Sequence, residues 1–453
     1  MLLRQRTTLA LGALVALHGT LSAQPAPRAT AALAKHVDAY VAPLIELRVF
    51  AGTIMVSRDD RVVLERNYGL ASIEHGIPIT SATRFRIASI SKSFTKALIG
   101  RLVDQKLLSL DDTLSRWLPT VPSANRITLR QLLTHRAGVP NMNSLPYDEE
   151  AFDPNSLATL VESIARAKPD FEPGSRLRYS NGGYALLARV VELVTHAPFD
   201  EVLTREILLP LHLDQTRHEA DGMIVAHLAS GYMPSPSVPN VMVRAPFQEM
   251  MTKTGGGSMV SSARDLTTWV RAIGRSDILT AETWTALFPI EDRALTFDGR
   301  APGFNVIVQH DRKRDLTTVV LANNYSAGMV ADVAQGVEAM ALGLTPKPLP
   351  VVRPAAIVIN DARALVGKYS VPDGTLPVPP GTMVDVRLAG DQPVAYLGAT
   401  PLDVLIPQAP RLCLARALWS TFEPMGSTGT VDSIRIRALY RDYTIVVKRA
   451  PER

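Results

Sequence analysis

The chain has 453 residues, 48 basic and 43 acidic side chains, a formal net charge of +5 and a single cysteine. That charge is too small and too interspersed for a nucleic-acid footprint. A lone Cys413 excludes an internal disulfide and a thiolate metal cluster, and no short pair of histidines has metal-ligand spacing, so neither a metal nor another cofactor is expected.

At the start of the chain, Arg4 and Arg6 precede an apolar run from Leu9 to Leu17, followed by small residues ending at Ala23. This order of charged, apolar and small segments marks a secretory signal peptide over residues 1–23, with cleavage after Ala23. The run is too short to cross a bilayer, and no later segment looks like a membrane span. A periplasmic or secreted protein is expected.

Next comes Phe85-Arg86-Ile87-Ala88-Ser89-Ile90-Ser91-Lys92-Ser93-Phe94-Thr95-Lys96. Ile90, Phe94, Ala97, Leu98 and Leu102 recur with the period of a helix that buries one face. Residues three apart share a helical face, so the Lys92 amine can approach the Ser89 hydroxyl. A desolvated lysine can take the proton that makes a serine a poor nucleophile. Ser93 and Lys96 repeat the spacing, so the motif alone leaves two registers open. Further on, Leu132-Leu133-Thr134-His135-Arg136-Ala137-Gly138 puts a histidine near a helix end, where a structural role is favoured. Pro173 to Asn181 then reads as a Pro-Gly turn, a short extended run and Tyr179-x-Asn181.

Lys253-Thr254-Gly255 runs straight into Gly256-Gly257 and a helix start. Ser262 with Asp265 fits a capping box there, and Leu266, Trp269 and Ile273 form the apolar face beyond it. Lys253 is therefore expected to belong to a glycine-rich turn. No Gly-Lys-Ser/Thr follows at the spacing of a phosphate loop. Phe297-Asp298-Gly299-Arg300 leads to a Pro302-Gly303-Phe304 turn, a strand from Asn305 to Gln309, a turn at Arg312 to Arg314 and a strand from Leu316 to Asn323. Prolines 346, 348, 350 and 354 then punctuate a linker over 344–354. Beyond it the period becomes two: Val384, Val386 and Leu388 alternate with polar residues, as do Ile434 and Ile436, which predicts a β-rich unit over 355–453.

Taken in order, these motifs resemble those of the β-lactamase-like serine hydrolases, which include class C β-lactamases, D-peptidases and related esterases. Phe50-Ala51-Gly52, Leu107 to Asp112, Gly183 to Leu187 and Pro210 to Leu213 are similar to further family segments. The resemblance implies an α/β (α+β) fold: an antiparallel sheet flanked by helices, as in β-lactamases and penicillin-binding proteins, plus a helical subdomain, over residues 24–343. The separate small all-β C-terminal unit resembles the lipocalin-like extensions of some relatives, a packing, lid or partner-binding module.

The family pattern aligns Phe85, Ser89, Ser91 and Lys92, which implies Ser89 as nucleophile and Lys92 as its base, with Lys96 structural. Tyr179 then protonates the leaving group and later helps activate water, and Asn181 hydrogen-bonds Lys92 or a substrate amide. Backbone N–H groups of Ser89 and Arg300 form the oxyanion hole. Phe297, Asp298 and Gly299 take the third, substrate-binding motif, where relatives carry His or Lys at the first position. Phe297 supplies no donor for a substrate carboxylate, a loss of about 1.5–3 kcal/mol. Esterase activity on small-molecule esters is therefore expected first, D-peptidase activity on peptide-like substrates second and β-lactamase activity third. The alternative is a non-catalytic or weakly active binding protein whose third motif has decayed. The residues specify no oligomeric state.

Overall fold

The computed structural model describes residues 27–142, 157–219, 223–238, 241–288, 294–326, 328–349, 364–373, 381–390, 392–398, 400–409, 412–426, 431–439 and 443–451. The expected leader and its cleavage point lie outside them, as do Pro350 and Pro354 of the expected linker. Among the described residues, no helix is long and apolar enough to cross a membrane.

A five-stranded antiparallel sheet organises the larger part of the chain. Its strands are β1 (Gly52–Arg58), β2 (Arg61–Tyr68), β3 (Ala294–Ala301), β4 (Phe304–Asp311) and β5 (Leu316–Ala322), in the spatial order β3-β4-β5-β1-β2. Side chains alternate across a strand, so each face takes its own helices. Ile54, Val56, Ile307 and Val320 turn to one face and meet α1 (Pro27–Glu46) and α5 (Met329–Ala341) through Val37, Val41, Leu44, Val333 and Val337. Met55, Val306, Val308, Val319 and Leu321 turn to the other and join a larger core with α2 (Ser91–Asp104), α3 (Asn181–Thr195) and α4 (Ala263–Arg275). Short helices at Leu129–Leu133, Leu157–Arg166 and Phe199–Leu203 extend this core into a helical subdomain.

Helix starts follow local chemistry. Thr128 and Gln131 form a reciprocal capping box, and the Ser180 hydroxyl caps α3 by accepting from the Gly183 N–H at 3.0 Å. The capping box expected at Ser262 forms by half. The Ser262 hydroxyl accepts from the Asp265 N–H at 3.2 Å, but the Asp265 carboxylate is drawn away to the Gln215 N–H and the Thr216 hydroxyl, each at 2.8 Å.

The β-rich C-terminal region closes into an eight-stranded antiparallel barrel. Its strands are β6 (Gly367–Ser370), β7 (Met383–Ala389), β8 (Gln392–Leu397), β9 (Thr400–Ala409), β10 (Leu412–Ala415), β11 (Ser420–Met425), β12 (Ser433–Ala438) and β13 (Tyr443–Arg449). Tyr369, Val384, Val386, Leu405, Phe422, Ile434 and Val447 fill a core of their own. Cys413 is a free buried thiol in this core, an apolar filler as its burial suggests. The β10–β11 hairpin carries Leu414 and Trp419 into the apolar cluster of α1 and α5. The Trp419 indole N–H also donates to Asp332 on α5 at 2.6 Å.

Candidate active site

Ser89 lies in a 3₁₀ turn, Ala88–Ile90, that leads directly into α2. The preceding Ala88 is held at φ +45°, a left-handed conformation that costs an L-residue about 1–3 kcal/mol and needs support from its surroundings. That support is visible on both flanks. The Ile87 N–H donates to the Met259 carbonyl at 2.9 Å, and the Met259 N–H donates to the Ser91 hydroxyl at 3.2 Å.

One turn along α2, Lys92 is buried, with 7% of its surface exposed. Its Nζ lies 3.3 Å from Ser89 Oγ, 2.7 Å from Asn181 Oδ1 and 2.6 Å from the Gly256 carbonyl. Burial disfavours the ammonium form and pushes its pKa from 10.5 down to about 7. A neutral amine has two N–H bonds and one lone pair. The two carbonyl oxygens accept only, so they take both N–H groups and leave the lone pair facing the Ser89 hydroxyl.

The orientation of Asn181 follows from a neighbour that the sequence did not single out. Asn141 Oδ1 accepts from the Asn181 backbone N–H at 2.9 Å and from Asn181 Nδ2 at 3.0 Å. A backbone N–H can only donate, which fixes the Asn141 oxygen there and turns Asn181 Oδ1 toward Lys92. The only sequence signal for Asn141 is its place beyond Gly138-Val139-Pro140, a loop that no local motif ties to the site.

Tyr179 completes the cluster, its hydroxyl 2.7 Å from Ser89 Oγ and 3.3 Å from Asn181 Oδ1. Burial raises its pKa above 10; the hydrogen bond with Ser89 opposes this, and Asp298 adds to it. The phenol is therefore protonated at neutral pH. His135 holds the segment that carries it. Its carbonyl accepts from the Arg178 N–H at 2.9 Å, and its Nδ1 accepts from the Ser180 N–H at 3.2 Å. Desolvation, with Lys92 and Lys96 nearby, lowers the imidazole pKa to about 4, which keeps that nitrogen an acceptor. The structural role expected of His135 thus has a specific target, the backbone around Tyr179.

The two Ser-x-x-Lys registers separate clearly in space. Ser93 is buried; its hydroxyl donates to the Ile90 carbonyl at 2.7 Å and accepts from the Trp269 indole N–H at 2.9 Å. Lys96 carries its Nζ to 5.4 Å from the Phe288 ring centroid.

The third motif divides. Gly299 on β3 passes against the Ser89 turn so closely that a methyl there would lie 2.3 Å from the Ile87 carbonyl and 3.0 Å from the Ser89 nitrogen. Arg300 lines the cleft beside Ser89. Phe297 does not: it packs half-buried against the large core, edge-on to Phe288 at 6.4 Å. Asp298 also stays off the lining, its side chain 63% exposed and 3.9 Å from the Arg300 guanidinium. Of the two residues expected to meet substrate, Phe297 turns its side chain to the core and Asp298 turns its own to solvent beside Arg300.

Lys253-Thr254-Gly255 lies on no strand. Thr254 bonds His218 at 3.1 Å, and the Gly255 carbonyl accepts from Thr95 at 2.7 Å, so the turn is framework, as expected. Yet it is not remote. Lys253, Thr254, Gly256 and Gly257 line the same cleft of about 110 Å³ as Ser89, Asn181 and Arg300.

The sequence profile of the beta-lactamase family matches residues 33–339. This chain belongs to the beta-lactamase family. Protein flp of Staphylococcus aureus (strain NCTC 8325 / PS 47) is 27% identical over 224 residues, which are 48% of this chain and 44% of that protein. The chain thus matches less than half the length of that relative. The D-amino acid amidase of Ochrobactrum anthropi SV3, complexed with D-phenylalanine, superposes with a TM-score of 0.58 at 21% identity, over 69% of this chain and 96% of its own. The octameric penicillin-binding protein homologue of Pyrococcus abyssi reaches a TM-score of 0.60 at 20% identity, over 91% of this chain and 99% of its own. At these identities the likeness is one of fold. Within the beta-lactamase family, that fold places the turn carrying Ser89 against strand β3.

Proposed function

We propose that this protein is a serine hydrolase that acts through an acyl ester of Ser89, on esters first, on peptide-like amides second and on β-lactams third. Neutral Lys92 takes the Ser89 proton as Oγ attacks the carbonyl carbon, and the N–H groups of Ser89 and Arg300 hold the resulting oxyanion. The Tyr179 phenol gives its proton to the leaving group, and the Lys92 ammonium returns one to Tyr179. Water then attacks the ester with the same groups acting in reverse, releasing the acid and free Ser89. The leader expected at residues 1–23 would direct this chemistry to the periplasm or the exterior.

The observation that carries the reading is Lys92: buried, lowered to about 7, and bound to two carbonyls so that its lone pair faces Ser89. The ordering of substrates rests on Phe297, which offers no donor where a carboxylate would need one. Labelling with a fluorophosphonate, followed by peptide mass mapping, tests it. The peptide containing Ser89 should be modified stoichiometrically. Ser89→Ala should abolish the label and lower short-chain 4-nitrophenyl ester hydrolysis by about 10⁴-fold or more. A folded wild-type chain that takes no label would favour the non-catalytic alternative.

A further inference from the structure

Three glycines follow Thr254, and each is bare for a different reason. Gly255 has φ +76°, and a methyl on it would collide with the Tyr184 carbonyl, so the turn itself demands a glycine. Gly256 gives its carbonyl to Lys92, and a methyl there would stand 3.5 Å from both Lys92 Nζ and Asn181 Oδ1. Gly257 answers to neither demand. Its φ lies outside the left-handed region, and beyond its chain neighbours a methyl would meet nothing nearer than the Ala88 carbonyl carbon and Lys253 Cβ, each at 3.8 Å. Neither backbone conformation nor packing requires a glycine at 257.

What the missing side chain leaves open is part of the cleft beside Ser89. Gly257 lines that cleft with Ala88, Ser89 and Asn181, and it is half-buried where Gly255 and Gly256 are buried. A Cβ on Gly257 would stand between the backbone just before Ser89 and the Lys253 side chain. The cleft measures about 110 Å³, small beside the ~300–1,000 Å³ of pockets that enclose larger ligands, so each added carbon takes a large share of it. Tyr179, the proposed proton donor to the leaving group, is not among its described lining residues, which puts the cleft on the acyl side of Ser89.

We infer that Gly257 determines acyl-chain specificity: its bare Cα leaves room beside Ser89 for a short, unbranched acyl group, so that the preferred acyl donors are esters of short straight-chain acids. This rests on Ser89 being the nucleophile. Methylenes that enter the cleft leave water and favour binding, and a longer chain outgrows the space.

The test measures kcat/KM for 4-nitrophenyl acetate, butanoate and octanoate, with hydrolysis by Ser89→Ala subtracted as background. The full wild-type chain should favour butanoate over acetate by about tenfold, two methylenes moved out of water, and over octanoate as well. Gly257→Ala should lower the butanoate-to-acetate ratio by about threefold and Gly257→Val by about tenfold or more. These ratios do not depend on the fraction of active protein, and Gly257→Ala, which adds a methyl without a clash, carries the test should Gly257→Val not fold. A second pair, phenyl acetate and 2-naphthyl acetate, varies the leaving group instead, and its ratio should stay within about threefold of wild type in both variants. A wild-type preference for acetate or octanoate, a butanoate-to-acetate ratio unmoved in the folded variants, or an equal fall in the leaving-group pair would overturn the inference while leaving the Ser89 reading intact. If wild type consumes none of the esters above the Ser89→Ala background, the Ser89 reading fails and this inference with it.

Discussion

At the level of single residues, two lysines and two serines along the Ser89 turn and α2 stand in contrasting surroundings. Lys92 is held near neutrality by burial, with a folded pKa of about 7 against an ordinary 10.5. The proposed acylation needs its free amine, so the pre-steady-state acylation rate should rise with pH and reach half its plateau near pH 7. A rate independent of pH from 5 to 9 would remove Lys92 from the base role. The same shift bears on stability. Below about pH 7 the folded protein carries a buried ammonium and the cost is complete. Between about 7 and 10.5 the unfolded chain binds the proton and the folded one does not, so stability rises with pH. The Tm advantage of Lys92→Met over wild type should therefore shrink as pH is raised from 7 to 10. Ser93 behaves in the opposite way. Its hydroxyl satisfies the buried Trp269 N–H, so Ser93→Ala should cost about 1–3 kcal/mol in denaturant unfolding while most ester hydrolysis survives.

At the level of elements, strand β3 and the turn around Ser89 lie this close only because Gly299 has no side chain. A methyl there meets backbone on both sides, the Ile87 carbonyl and the Ser89 nitrogen. Neither can swing away, so Gly299→Ala should move the strand off the Ser89 turn and, on the proposed mechanism, lower kcat by about 10²-fold, a cost typical of a displacement near 1 Å. Steady-state kinetics on a neutral ester measure it, and a loss below about threefold would separate β3 from the oxyanion-binding role. Much of this geometry was legible beforehand. Ser-x-x-Lys is a local pattern whose spacing puts Lys92 one turn from Ser89, whereas the family resemblance pointed to Tyr-x-Asn and the glycine of the third motif. What escaped reading was non-local. Asn141 orients Asn181 across 40 residues, and Lys253 enters the cleft because Thr254 and Gly255 are tied to His218 and Thr95. Phe297 was legible as a departure from the family pattern, but not as a side chain turned into the core against Phe288.

For the whole molecule, the two parts of the chain share a buried seam. Period-two patterning announced the C-terminal strands, but nothing local foretold that one barrel hairpin enters the core of α1 and α5. Trp419 is fully buried there, and its indole N–H reaches Asp332. Desolvation raises the Asp332 pKa, and the indole bond opposes that rise. Arg416, also fully buried, donates to the Leu47 carbonyl at 3.3 Å, while its own carbonyl accepts from Ser326 at 2.5 Å. A seam with an interdigitated tryptophan and hydrogen bonds in both directions couples unfolding of the barrel to that of the larger part. Trp419→Ala removes the largest side chain of the seam and leaves Asp332 without its donor, at a cost of about 3–5 kcal/mol. Calorimetric unfolding should show one transition in wild type, displaced as a unit to lower temperature in the variant. The acylation rate of Ser89 well below that transition should be unchanged, because no barrel residue lines the described cleft. Two resolved transitions, of which only one moves, would mean that the barrel is tethered rather than built in.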